Sequence, residues 1–307
     1  MTLHIRTPLQ HSLPISSRLK KDVWLKMEAL QPCGSFKVRG IGLACMKHVQ
    51  RGVTRFVSSS GGNAGIAVAY CGRLLKVPVT VVVPETTSER ARYLIKLEGA
   101  DLIVHGQSWA EANEFAQSLV GQHAAFIHPF DDPLLWRGHS TLIDEVAEAG
   151  MKPDAVVLSV GGGGLLCGVA EGMERNGWTD VRLIAAETEG MASYASSLVA
   201  GEVKELPVVT GVATSLGAKR PATQAIEWSR TLQISSVVVT DRQAVEASLR
   251  FLGEHRVLVE PACGAALAAA ESDCPALKTA SSILVVVCGG VVASVEQLQE
   301  WQRTLPQ

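Results

Sequence analysis

"DAVVLSVGGGGLLCG", residues 154–168, is the stretch whose reading decides the fold. Its apolar opening has no polar alternation, the mark of a strand covered on both faces in a parallel sheet. Four consecutive glycines follow, at a conformational-entropy cost that a plain turn would not demand. They allow the backbone to approach a phosphate closely, and the apolar helix after them turns its positive end toward that spot. Strand, bare loop and helix form one unit of an α/β protein, with a ligand position at the strand's carboxyl end.

Outward from this unit the same alternation recurs. "VWLKMEAL" (23–30), "RFVSS" (55–59), "VPVTVVVP" (77–84), "DLIVHG" (101–106) and "AAFIHP" (124–129) read as strands. So do "VRLIAAE" (181–187), "SSVVVT" (235–240) and "ILVVVC" (283–288). Between them "NAGIAVAYCGRLLK", "SERARYLIKLEG" and "DRQAVEASLRFLGEHR" carry helical periodicity. The architecture expected is α/β, with right-handed crossovers and parallel sheets flanked by helices. "HPFDDPLLW" (128–136) reads as a hinge returning the chain from one lobe to another.

Composition narrows the function. A formal net charge of −2 without a Lys/Arg block argues against nucleic acid as a partner. The first twenty residues lack an uninterrupted apolar core, so neither a signal peptide nor membrane association is expected. Seven cysteines, an odd number without a CxxC pair, argue for reduced thiols and a cytoplasmic location. The eight histidines form no pair at metal-ligand spacing.

Three other strand-to-helix loops carry unusual residues. In "GSFKVRG" (34–40) Lys37 stands at a helix start, whose partial positive charge discourages the ammonium form. An ordinary turn with solvated Lys37 and Arg39 is one reading; a neutral amine of the Schiff-base kind is the other. "SSSGGNAG" (58–65) leaves N–H groups uncovered at a helix start, with Ser60 and Asn63 as further donors for a carboxylate. A Ser/Asn helix cap is the plainer alternative. "VVVCGG" (285–290) brings Cys288 to a strand's carboxyl end, where a small buried residue would equally serve. Gly162, Gly164 and Gly168 also spell G-x-G-x-x-x-G, with Glu187 ending the next strand. A nicotinamide-dinucleotide dehydrogenase therefore stays open as an alternative, although the spacing departs from G-x-G-x-x-G.

Taken together, "GSFKVRG", "SSGGNAG", "SVGGGGLLCG", "EPACGAALA" and "VVVCGG" resemble, in order, the fold-type II pyridoxal-phosphate enzymes. The resemblance runs from about Thr7 to Leu298 and is nearest to the serine/threonine dehydratases, in their serine dehydratase branch. It implies a tryptophan synthase β-like fold: a large catalytic domain (1–31 and 133–307), a small domain (32–132) inserted in it, and the cofactor in the cleft between. The implied activity is β-elimination of L-serine and L-threonine to pyruvate or 2-oxobutanoate and ammonia, in amino-acid degradation. A racemase or synthase of the same fold is the alternative within it. Little sequence follows Leu298, so feedback control by isoleucine is not expected. A homodimer is a family expectation.

By this resemblance Lys37 anchors the cofactor aldehyde and then acts as general base. Phe36 would lie on the ring face, Asn63 would bond the ring 3-oxygen, and Gly161, Gly162, Gly163, Gly164 and Leu165 would hold the phosphate. Cys288 would face the pyridine nitrogen. Ser60, Gly61, Asn63 and Ala64 would bind the substrate carboxylate. "AAETEGMAS" (185–193) and "ATSLGAK" (213–219) resemble the family's cation site, with Gly161, Glu187, Met191, Ser193, Leu216 and Ala218 as oxygen ligands for potassium. A solvent-facing Glu187 is the other reading. Related racemases carry a serine at position 61; the glycine here is expected to leave space beside the substrate.

Overall fold

The computed structural model describes residues 2–306. Among them the larger sheet holds β1 (Leu9–His11), β2 (Asp22–Lys26), β7 (Ala155–Ser159), β8 (Arg182–Thr188), β9 (Ile234–Val239) and β10 (Ser282–Val286). Their order is β1-β2-β10-β7-β8-β9. The smaller sheet has β3 (Arg55–Ser58), β4 (Val79–Val83), β5 (Asp101–Val104) and β6 (Ala124–Phe126), in the order β5-β4-β3-β6. All ladders are parallel except β1 on β2. The α/β class with helix-flanked parallel sheets is the one the sequence suggests. β4 and β7 are buried along their whole length, which accounts for their unbroken apolar runs. β5 and β9 lie at sheet edges and are correspondingly more exposed.

Two readings need correction. The strand expected over 23–30 stops at Lys26, and Glu28–Leu30 forms a single 3-10 turn. The turn carries the Glu28 carboxylate inward, where Arg39 and Thr7 donate to it. Of the G-x-G-x-x-x-G glycines, Gly168 serves helix packing, as Gly172 beyond the motif also does. A side chain at Gly168 would start 2.4 Å from His139 Cβ, and one at Gly172 would start 2.8 Å from Ile143 Cβ. These glycines let the helix Gly164–Arg175 lie close against Pro133–Glu148.

Arg39 is not solvated either. It is wholly buried, as are Glu28 and Lys26. Its guanidinium donates to Glu28 at 2.7 and 2.8 Å and to Glu145 at 2.7 and 2.8 Å. Lys26 Nζ bonds Glu145 at 2.5 Å and the Thr7 carbonyl at 2.7 Å. The cluster joins the N-terminal segment, β2, the helix Lys37–Gln50 and the helix Pro133–Glu148. Removing one partner strands the others without water, at a cost of roughly 3–5 kcal/mol. Arg39→Met is therefore expected to lose about that much stability in urea unfolding. Lys152→Ala, which breaks the exposed pair with Asp180, should lose only about 0–1 kcal/mol. Equal, small losses would show that the buried cluster does not hold the fold.

Candidate functional site

The four marked strand-to-helix loops follow the carboxyl ends of β2, β3, β7 and β10, and "AAETEGMAS" runs through the end of β8. Several surface helices there and elsewhere begin with a side-chain cap: Ser88, Ser108 and Asp132 each accept a first-turn N–H. The helices Lys37–Gln50, Asn63–Leu75 and Gly164–Arg175 start instead at Phe36, Gly62 and Gly163, with no side-chain cap bond. Their amides are left for something else.

Lys37 is the first residue of its helix. Its Nζ donates to the Pro129 carbonyl at 2.6 Å and lies 5.2 Å from the Phe36 ring centroid. Burial pushes its pKa from 10.5 down to about 8, while Cys288 and Glu260 pull the other way. The neutral-amine reading thus has a physical cause. "HPFDDPLLW" supplies the carbonyl that holds Lys37. Phe36 packs edge-to-face on His139 at 4.8 Å. His139 Nδ1 accepts from the Gly40 N–H, which leaves its proton on the buried, unpartnered Nε2.

On the opposite wall the Phe36 N–H donates to the Cys288 carbonyl, and the Gly290 N–H to the Gly34 carbonyl. Gly290 has φ +113°, and a Cβ there would sit 2.0 Å from Glu260 Cδ. The Cys288 thiol is held well above its ordinary pKa, first by a hydrogen bond with Cys263 and then by burial. It stays a thiol. Glu260 was not assigned a role from the sequence, though the acid before the apolar helix of "EPACGAALA" was the available signal. Its Oε1 accepts from Asn63 Nδ2 at 2.8 Å, and its buried Oε2 has no partner among the described residues. Burial raises this carboxyl to about 7.

Asn63 is therefore not a helix cap. Its Nδ2 bonds Glu260 and, at 3.3 Å, Ser215; its Oδ1 accepts from the Val291 N–H. Ser60 Oγ accepts from the Gly62 N–H, which leaves its own proton free to donate. Ala64 is buried behind this loop. Position 61 departs from expectation. A Cβ on Gly61 would meet Thr87 Oγ1 at 2.6 Å, so Thr87 fills the space that glycine was expected to leave open.

In the tetraglycine loop a side chain at Gly162 would start 2.3 Å from the Phe130 ring, and one at Gly161 would start 2.9 Å from Leu216 Cα. Gly163 has φ +85°. Among the described residues no acceptor takes the N–H of Gly164 or Leu165. Glu187 is wholly buried, which removes the solvent-facing reading. Its two oxygens accept from the N–H groups of Tyr194 and Ala195, and burial raises its pKa to about 7. Ser193 Oγ nearby is buried without a partner among the described residues, Leu216 touches Gly161, and the Ala218 N–H bonds the Leu216 carbonyl. Met191 is buried on the turn between Glu187 and Ser193.

Comparison with known proteins agrees with this geometry. The family described as pyridoxal-phosphate dependent enzyme matches residues 1–289. The human protein named L-serine dehydratase/L-threonine deaminase is 43% identical over 314 residues, covering 99% of this chain and 96% of its own. A mouse protein named serine dehydratase-like is 46% identical over 307 residues, covering 97% and 93%. The crystal structure of a fungal L-serine ammonia-lyase from Rhizomucor miehei superposes with a TM-score of 0.94 at 36% identity, covering 100% of both chains.

Glu260 gives the cofactor-free protein a pH signature. Its unfolded carboxyl titrates near 4.5 and its folded one near 7, so between these values only the folded state keeps the proton. That stabilisation is complete below about pH 4.5 and is lost as pH climbs through about 7. Glu260→Gln should make this part of the stability profile, measured by urea unfolding, shallower, leaving the share that Glu187 contributes over the same range. An unchanged slope would place the titration elsewhere.

Proposed function

Because the chain belongs to the pyridoxal-phosphate dependent enzyme family, we propose that it is an L-serine/L-threonine ammonia-lyase. It would release ammonia with pyruvate from serine and with 2-oxobutanoate from threonine. The observation that carries this reading is Lys37: a buried amine bonded to the Pro129 carbonyl beside Phe36, Cys288 and Glu260, which burial brings to about 8.

The residues present fit the cofactor. The uncapped glycine loop, with free N–H groups at Gly164 and Leu165, suits a phosphate. An orphaned Glu260 Oε2 and a neutral Cys288 thiol stand close enough to Lys37 to act on its charge. We assign Gly161, Gly162, Gly163, Gly164 and Leu165 to the phosphate, Phe36 to a ring face, Asn63 to the ring oxygen and Cys288 to the ring nitrogen. For Asn63 this means giving up the longer bond to Ser215, since its other amide hydrogen is held by Glu260. Bound pyridoxal phosphate supplies the electron sink that acidifies the substrate's Cα.

The chain's own residues do the rest. The Lys37 amine would hold the cofactor, and its Nζ would take the substrate's Cα proton as general base. Ser60 Oγ and the amides of Gly61, Asn63 and Ala64 hold the substrate carboxylate. Gly61 itself carries no side chain where related racemases carry a serine, which favours elimination over racemisation. At Glu187 a monovalent cation such as potassium would supply the counter-charge that the buried carboxylate lacks, with Ser193 and the carbonyls of Gly161, Met191, Leu216 and Ala218 as further oxygens. The cofactor cleft would lie between a domain of residues 32–132 and one of 1–31 with 133–307. All seven cysteines are free and buried, in keeping with a cytoplasmic enzyme. Among the described residues no helix is long and apolar enough to cross a membrane. A homodimer is the assembly we propose, to be checked by light scattering.

The purified protein should be yellow, and borohydride should bleach it while fixing the cofactor to Lys37. A colourless protein that binds nicotinamide dinucleotide would overturn the reading. Lys37→Ala should lose elimination yet unfold at a near-normal urea concentration, and retained turnover would remove Lys37 from the base role. Incubation with L-serine should yield pyruvate and ammonia without D-serine; D-serine formed as fast as pyruvate would make the enzyme a racemase instead.

A further inference from the structure

Gly61 is a glycine without a backbone reason. It is absent from the positive-φ glycines, so its conformation is open to other residues. What excludes a side chain there is Thr87. An added Cβ would stand 2.6 Å from Thr87 Oγ1, 2.8 Å from its Cγ2 and 3.3 Å from its Cβ. Both heavy branches of the threonine face the glycine. Turning χ1 exchanges one branch for another but always leaves at least one in place.

The threonine backbone cannot easily withdraw. The Thr87 N–H donates to the Pro84 carbonyl at 3.0 Å, and the Glu85 N–H to the Gly106 carbonyl at 2.9 Å. The next residue, Ser88, caps the helix Glu89–Leu97 by accepting from the Ala91 N–H. Pinned on both sides, the loop after β4 presses one β-branched side chain onto the loop after β3. The two strands pair in parallel, which makes their carboxyl-end loops neighbours.

From this interlock we infer that Thr87 is a positioning residue for amino-acid binding. It holds the Gly61 segment of the carboxylate loop from above and fixes the direction of its N–H. Residues 61 and 87 then form one unit: a side chain is admitted at 61 only when the one at 87 is cut back. The inference rests on the proposed role of the Ser60–Ala64 loop.

A double-mutant cycle tests it. Gly61→Ala, Thr87→Ala and the double variant are compared by thermal midpoint without cofactor, and by kcat and KM for L-serine with cofactor loaded. Gly61→Ala should lower the midpoint by several degrees and raise KM by about tenfold, with a smaller change in kcat. Adding Thr87→Ala should recover most of the lost midpoint and part of the lost KM. Should Gly61→Ala alone fail to fold, the double variant must fold for the inference to survive. Additive losses in the midpoint would overturn the interlock. Coupling in the midpoint without coupling in KM would overturn the role in substrate binding. A wild-type protein that does not turn over L-serine would overturn the proposed activity, while the midpoint cycle would still decide the interlock.

Discussion

Arg39 shares its charge between two carboxylates in a place that water does not reach. Taking these ions out of water is expensive, and only complete pairing offsets the cost. The guanidinium's planar fork satisfies Glu28 and Glu145 together, which a lysine ammonium could not do in that geometry. The consequence reaches Lys37, two residues earlier on the same helix. Because Arg39 is fixed, the first turn of that helix is fixed. Because Arg39 is fully paired, its field is largely spent on its own partners. The lysine is thus left in an apolar setting with a backbone carbonyl as its direct hydrogen-bond partner, and its proton is correspondingly loose.

The site also depends on main chain lying against main chain. Gly34, Gly289 and Gly290 lace the Lys37 loop to the β10 loop, each at positive φ and each with another group where a Cβ would stand. Gly161 and Gly162 do the same against Leu216 and Phe130. Where side chains are absent, amides come forward. The helix starts at Gly62 and Gly163 carry no side-chain cap bond, and their glycine-rich loops leave main-chain N–H groups that suit anionic groups.

Much of this was legible in the sequence. Unbroken apolar runs gave away the buried strands, and consecutive glycines after them marked the loops. Lys37, Ser60, Asn63 and Cys288 could be singled out because their residue types are chemically distinctive at strand ends. Local patterns failed where the deciding contact was distant. "VWLKMEAL" looks like one strand because nothing nearby announces that Glu28 must turn toward Arg39. The three-residue edge strand "LQH" is too short to show a period. Gly61 looked like open space, since the threonine that fills it belongs to another loop. Glu260 reads as the start of an alanine-rich helix; its place beside Asn63 exists only once the chain has folded.

The position of β10 has a consequence for how the molecule assembles. This strand comes last in sequence, yet it sits inside the larger sheet, between β2 and β7. The smaller sheet, by contrast, draws on one continuous stretch, and its strands can pair as soon as they are made. While the chain is being synthesised, β2 and β7 must wait with facing edges unpaired, a state prone to wrong pairing. Closing that gap joins segments from nearly opposite ends of the chain, an entropically slow step. The strand that closes it also delivers Cys288 and Gly290, so the pocket wall facing Lys37 arrives with the last act of folding.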